Sequence, residues 1–280
     1  MSTDFLRTSN ELASLGKPFA IATVVRVEGS SSAKPGSKAI VDSQGKIVSG
    51  WIGGGCAESA VRHQALKCMA SERPQLITLD MTDELLGVGM PCGGIMDVYI
   101  EPVLPNPELL IVGHGRIAET LAALGSLMGF RVTVDDPGAD RRSFPTAERL
   151  ITDDLDLSAP EIGSQTYIVV ATQHKGDHIS LEKALESNAA YIALVSSRHR
   201  AAIVLDYLAA TGMSREKLER VWAPAGLDLG GSTPEEIALS IVSQIVALRR
   251  GGGAQALKHA QTGDTEATPA TVITECETPS

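Results

Sequence analysis

The chain has 280 residues, with 34 acidic against 24 basic side chains and a formal net charge of −10. Such a field repels phosphate backbones and anionic lipid, and no basic run offsets it, which argues against nucleic acid and membrane surfaces as partners. Two cores are expected at this length, and an apolar share of 43% with few aromatics points to packing by Ile, Val, Leu and Ala, as in buried parallel sheets.

No stretch reaches the roughly 18 apolar residues of a membrane span. Met1 to Lys17 mixes Asp4, Arg7, Asn10 and Glu11 with its leucines and has no leader pattern, so the expected location is cytoplasmic. Cys56, Cys68, Cys92 and Cys276 are too scattered for a disulfide framework and contain no C-x-x-C pair. Their thiols are expected to be free.

In chain order, Asn10–Leu15 reads as a short helix and Phe19–Val27 as a β-branched strand. The turn-rich loop Gly29–Ser37 leads to strands Lys38–Asp42 and Lys46–Gly50, a hairpin closed by Ser43-Gln44-Gly45. Gly53-Gly54-Gly55 then opens a helix, because Ala57, Val61, Ala65, Leu66 and Met69 recur at helical spacing up to Ser71. Strands are predicted at Leu76–Asp80 and Ile95–Pro102, the second preceded by Cys92-Gly93-Gly94. Residues 1–102 thus form a strand-rich α+β domain.

Pro102, Pro105 and Pro107 make a linker that neither a helix nor a central strand can use. Beyond it strands and helices alternate. Strands are predicted at Leu109–Val112, Arg131–Asp135, Arg149–Thr152, Tyr167–Ala171, Tyr191–Val195 and Arg220–Ala223. Helices are predicted at Arg116–Met128, His178–Ser187, Arg198–Thr211 and Pro234–Arg250. Alternation at these lengths indicates βαβ crossovers, so 107–250 is predicted to be a Rossmann-type, doubly wound parallel sheet. The stretch 251–280 has no apolar periodicity and is expected to be a disordered tail.

Gly113-His114-Gly115-Arg116-Ile117-Ala118 follows the first of these strands directly and matches G-x-G-x-x-A in its proper context. Gly113 allows the tight turn, Gly115 lets a phosphate approach the backbone, and Ala118 lets the helix pack on the sheet. The helix start offers unpaired N–H groups to an anion. An acid for a ribose hydroxyl is present as Asp135 or Asp136. After the fourth strand of this half, His174, Lys175, Asp177 and His178 crowd one loop, either as site residues or as a solvated turn in which Asp177 caps the helix.

Upstream, Cys56 sits at the start of a helix behind three glycines, where a thiolate is favoured and a bulky ligand can come close. Cys92-Gly93-Gly94 repeats the theme, and if Cys56 and Cys92 converge they form a soft site for a sulfur- or metal-bearing ligand. Ser30 and Ser31, with Lys34, add anion-binding groups of low specificity. Cys68 lacks glycine context and is assigned no chemistry.

Taken in order, the Gly-Ser-Ser loop with Pro-Gly, the Gly-Gly-Gly-Cys-x-Glu turn, the Cys-Gly-Gly turn and G-H-G-R-I-A resemble the XdhC/CoxI family of accessory proteins for molybdenum hydroxylases. The likeness continues through Thr172–Asp177, Ser196-Ser197-Arg198, Pro224–Gly230 and Pro234–Ala238. It implies a maturation factor rather than an enzyme. Such a factor holds the molybdenum cofactor, a pyranopterin often joined to a nucleotide, while a cysteine desulfurase supplies its sulfido ligand. It then inserts the cofactor into an apo molybdenum hydroxylase of the xanthine or carbon monoxide dehydrogenase group.

Carried over by resemblance, Cys56, Glu58 and Cys92 match the N-terminal motifs, and Gly113, Gly115 and Asp135 match the Rossmann motif. Gly53, Gly54, Gly55, Gly93, Gly94, Ser30, Ser31, His114, Arg116, His174 and Asp177 complete the expected cofactor-binding set, with Cys56 and Cys92 as metal ligands. Ser32-Ala33 replaces a Pro-Arg common in the family, which places the chain nearer the CoxI-like branch. The alternative is an NAD(P)-dependent oxidoreductase using His174 or His178 as acid/base. A homodimer is the expected assembly.

Overall fold

The computed structural model describes residues 3–80, 94–154, 157–172, 176–259 and 271–273. The chain divides into two compact units, Met1–Pro105 with Thr262–Ser280, and Asn106–Gln261. The division falls inside the proline linker.

The first unit is built on an antiparallel sheet. Its strands are β1 (Phe19–Gly29), β2 (Lys38–Asp42), β3 (Ile47–Gly50), β4 (Gln75–Asp80) and β5 (Gly94–Val103). β1 lies between β2 and β5, pairing Ala20 with Val41 on one side and with Pro102 on the other. Alternation decides the faces. Ala20, Ala22, Val24, Val98, Ile100, Ile77 and Leu79 point to one side, where α2 (Cys56–Ser71) covers them with Val61, Ala65 and Cys68. On the other side α1 (Thr3–Ser14) buries Phe5 against Phe19 and Ile40. α1 begins seven residues before the predicted Asn10, because Phe5 supplies an anchor too isolated in sequence to show periodicity.

The second unit has six parallel strands: β6 (Glu108–Val112), β7 (Arg131–Asp135), β8 (Arg149–Ile151), β9 (Thr166–Val170), β10 (Tyr191–Leu194) and β11 (Val221–Trp222). Their spatial order is β8-β7-β6-β9-β10-β11. Counted within the unit this is 3-2-1-4-5-6, the Rossmann order, with its switch point between β6 and β9. The continuous apolar run Leu109–Val112 serves both faces. Leu109 and Ile111 pack under α3 (Arg116–Leu127) and α7 (Pro234–Arg250). Leu110 and Val112 pack under α4 (Asp177–Glu186) and α5 (Arg198–Ala210). The expected fold class, α+β followed by a doubly wound parallel sheet, is the one observed.

Three short elements differ from the sequence reading. α6 (Arg215–Leu218) has no apolar face to announce it, and is started by Ser214, whose Oγ accepts the Lys217 N–H. In the stretch expected to be disordered, Leu257–His259 forms a 3-10 turn and β12 (Thr271–Ile273) pairs in parallel with β4. Three residues held by backbone pairing leave no pattern in the sequence. Among the described residues no helix is long and apolar enough to cross a membrane.

Candidate functional site

In the first unit the serine loop meets the triglycine turn and the start of β5. The chain leaving β1 at Ser30 runs beside the start of β5: a Cβ at Gly94 would lie 2.6 Å from the Ser30 carbonyl oxygen and 2.7 Å from that of Glu28. Only a glycine permits this approach, so Gly94 serves the juxtaposition of β5 with the serine loop. Two residues on, Ser32 Oγ would lie 3.6 Å from a Cβ at Gly53. The serine loop therefore touches both the triglycine turn and the first residue of β5, with Ala33 fully buried as its anchor.

The triglycine turn ends at Gly55, the N-cap of α2, and no side chain caps this helix. Its first N–H groups are thus open to an anion. Gly53 and Gly55 have left-handed φ of +103° and +61°, which account for those two glycines. Gly54 is different. Its φ is not in the left-handed region, and a Cβ there would meet nothing within 4 Å. Neither strain nor internal packing asks for glycine at this position.

Cys56 is the first residue of α2, and Glu58 stands half-buried in the same turn. The Cys56 side chain, and Cys92, Gly93 and His174 altogether, lie outside the described residues. No cluster of three potential metal-ligating His, Cys, Asp or Glu residues occurs among the described ones. Cys68 is a core residue, fully buried, and burial pushes its thiol upward.

In the second unit the glycine loop lies at the carboxyl ends of β6 and β9. A Cβ at Gly113 would lie 2.3 Å from the Ala171 carbonyl oxygen and 2.9 Å from the Thr172 nitrogen, so the loop is pressed against the strand across the switch point. Gly115 is the N-cap of α3 and again no side chain caps the helix, whereas Ser197, Ser214 and Thr233 cap α5, α6 and α7. Ala118 is fully buried against the sheet.

The two adjacent acids have separate surroundings. Asp136 Oδ1 lies 2.8 Å from His114 Nδ1 and accepts the Gly138 N–H at 2.6 Å. Asp135 is 4% exposed, and its Oδ2 has no hydrogen-bond partner. Burial first, then the charges of Asp154 and Asp136, push its carboxyl up to about 7, with Arg149 opposing.

Several expected contacts are taken by the protein itself. Arg116 Nε donates to Glu235 Oε1 at 2.7 Å and its Nη1 is 3.6 Å from Glu119, so its guanidinium is already paired at the start of α7. Asp177, 2% exposed, is the first residue of α4 and not its cap, which is Gly176. Thr172 Oγ1 donates to Asp177 Oδ1, and Arg200 Nη2 and Nε lie 3.3 and 3.4 Å from Oδ2. Asp177 therefore ties the end of β9 to α5. His178 is turned edge-on to Tyr207, ring centroids 5.0 Å apart. Thr172 and Ser196, whose buried Oγ has no partner, figure in the sequence only as parts of family motifs with no role given, and Arg200 is not singled out there, because its pairing is with a residue 23 positions away. A cleft of about 150 Å3 lined by Glu108, Arg131 and Glu148 opens at the opposite, amino ends of the strands.

Comparison with known proteins bears on both halves of the chain. Residues 12–80 match the XdhC and CoxI family and residues 109–245 match the XdhC Rossmann domain. "Uncharacterized protein YqeB" of Escherichia coli (strain K12) is 30% identical over 239 residues, 83% of this chain and 44% of that protein. A probable xanthine dehydrogenase subunit of Bacillus subtilis (strain 168) is 31% identical over 160 residues, 55% of this chain and 46% of that one. The chain thus spans less than half the length of these two relatives. "Molybdenum cofactor insertion chaperone PaoD" of Escherichia coli (strain K12) is 22% identical, with 87% of each chain covered. With both halves matched in order, and with the glycine turns and the Rossmann strand order in place, the chain belongs to the XdhC and CoxI family.

Proposed function

We propose that this protein is a maturation factor for a molybdenum hydroxylase of the xanthine or carbon monoxide dehydrogenase group. In this reading it holds the molybdenum cofactor, keeps it protected while a cysteine desulfurase serves it, and passes it to the apo-hydroxylase. The observation that carries the reading is the meeting of the serine loop with the triglycine turn, next to an uncapped helix start, and with Gly94 at the start of β5. A Cβ at Gly54 would meet nothing within 4 Å, which leaves room for a ligand, and the molybdenum cofactor insertion chaperone matched over 87% of this chain favours the molybdenum cofactor as that ligand.

The residues that would hold the cofactor are the α2 N–H groups, the hydroxyls of Ser30 and Ser31, and Cys56 with Cys92 as soft ligands. Glu58 would stand beside them. When bound, the cofactor supplies the molybdenum centre that the hydroxylase needs; the chain contributes binding, orientation and exclusion of water. The glycine loop of the second unit is read as a phosphate seat, for the nucleotide of the cofactor or for a separate one.

Anaerobic purification from cells making molybdenum cofactor tests this directly. Bound molybdenum and oxidised-pterin fluorescence are expected in the wild type and reduced in Cys56→Ser and Cys92→Ser variants of unchanged fold. Absence of both signals in the wild type would overturn the reading. The Rossmann strand order also supports the NAD(P)-dependent oxidoreductase alternative. Turnover of NADH or NADPH with a small substrate would favour it.

A further inference from the structure

The antiparallel sheet of the first unit has one edge closed by a strand from the far end of the chain. β5 pairs with all six residues of β4, Gln75 to Asp80. On the other side β12 pairs with only Ile77, Thr78 and Leu79, through Thr271, Val272 and Ile273. β12 belongs to the first unit, yet in sequence it follows the whole of the second. It runs parallel to β4 in a sheet whose other pairings are antiparallel, and parallel pairing is the less stable of the two per residue. Among the described residues, then, an edge of six is held by a strand of three, and Leu76, just outside the covered stretch, is 39% exposed.

An edge strand presents a row of N–H and C=O groups that another extended chain can take. We propose that the outer edge of β4 is a docking site for an extended, β-branched segment of the apo-hydroxylase, and that β12 is the chain's own stand-in, displaced when the partner docks. The sequence Thr271-Val272-Ile273 gives the chemistry of the occupant: three β-branched residues in parallel register. A longer partner strand would also pair at Gln75 and Leu76. Position favours the receiver of the cofactor as that partner. At the end of β4 Asp80 pairs with Ile95, and the neighbouring Gly94 pairs with Gly29, where the serine loop begins. Three strand spacings, about 14 Å, separate β12 from β1, so a segment on this edge holds its protein close to the serine loop.

The identity of the partner rests on the function proposed above, whereas the strand site does not. A fluorescein-labelled peptide of residues 267–275 stands in for the partner strand. It is titrated by anisotropy against the full chain and against a Thr271→Pro/Val272→Pro variant. Successive N–H groups of a strand point to opposite sides, so two adjacent prolines remove a ladder donor whichever of them faces β4. A tethered strand competes with the peptide, and the variant is expected to bind it roughly tenfold or more tightly than the wild type. A Thr271→Gly/Val272→Gly/Ile273→Gly variant, which weakens the strand while keeping its donors, should shift the same way and supplies the reading if the proline variant does not fold. Equal affinity for wild type and folded variants, or binding to none, overturns the strand site. Purified apo-hydroxylase is expected to bind the variants more tightly than the wild type and to be displaced by excess peptide. Hydroxylase binding that the peptide leaves unchanged overturns the docking assignment. A chain that carries neither molybdenum nor pterin but binds the peptide as described overturns the proposed function and leaves the strand site standing.

Discussion

Asp135 is a carboxyl that the fold encloses at a cost to its charged form. Its carboxyl stands at about 7 in the fold and near 3.9 in an unfolded chain. Below about pH 4 both states hold the proton. Between there and pH 7 the folded state keeps a proton that the unfolded chain has released, so this residue's contribution to stability falls as pH rises through that window and levels off above it. The full displacement is worth at most about 4 kcal/mol. Asp135→Asn removes the titration, so its thermal midpoint should exceed the wild type by several degrees at pH 8 and by much less at pH 5. Calorimetry at both pH values checks this, and an equal gain at the two would contradict it. At Gly113 a methyl group would meet backbone that cannot yield, on a residue with φ of +124°. Gly113→Ala is expected to lose at least about 1–3 kcal/mol, read as a lower denaturation midpoint. Cys68, buried in the α2 core, should resist thiol reagents until the protein unfolds.

At the level of elements, α7 shows how local sequence places a helix beside the site. Thr233 Oγ1 accepts the Glu236 N–H while Glu236 Oε2 accepts the Thr233 N–H, Pro234 fills the first turn, and Gly251 ends the helix in the left-handed conformation. The S/T-x-x-E pattern and the closing glycines make these boundaries readable from residues alone. Thr233→Ala should cost about 1 kcal/mol, seen as a midpoint lowered by a few degrees. What α7 does for the glycine loop was not readable: Glu235 reaches Arg116 across 119 positions of sequence. Gln244 likewise accepts from Tyr191 Oη at 2.5 Å and from the Gly226 N–H at 2.9 Å, tying α7 to β10 and to the Pro224–Gly230 loop. α6 and β12 lacked a legible signal because they are four and three residues long, too short for periodicity to register.

On the scale of the whole molecule, each unit has its own sheet and its own core clusters. Hydrogen exchange on Gly113→Ala should therefore show faster exchange in peptides from 106–250 and unchanged protection in those from 19–80. Loss of protection in both would mean that the two cores share their stability. By itself the sequence determined the alternation of strands and helices, the glycine starts of α2 and α3, and the family. All of these rest on residue types within a few positions of one another. The tertiary structure alone decided that Ser32 meets Gly53 and Ser30 meets Gly94, that Arg116 is paired by Glu235, and that Asp177 is spent on Thr172 and Arg200. It also decided that Asp135, and not Asp136, is the enclosed acid with one carboxylate oxygen left without a hydrogen bond. Burial and pairing are set by groups distant along the chain, and no local pattern encodes which of two neighbouring carboxyls will be enclosed.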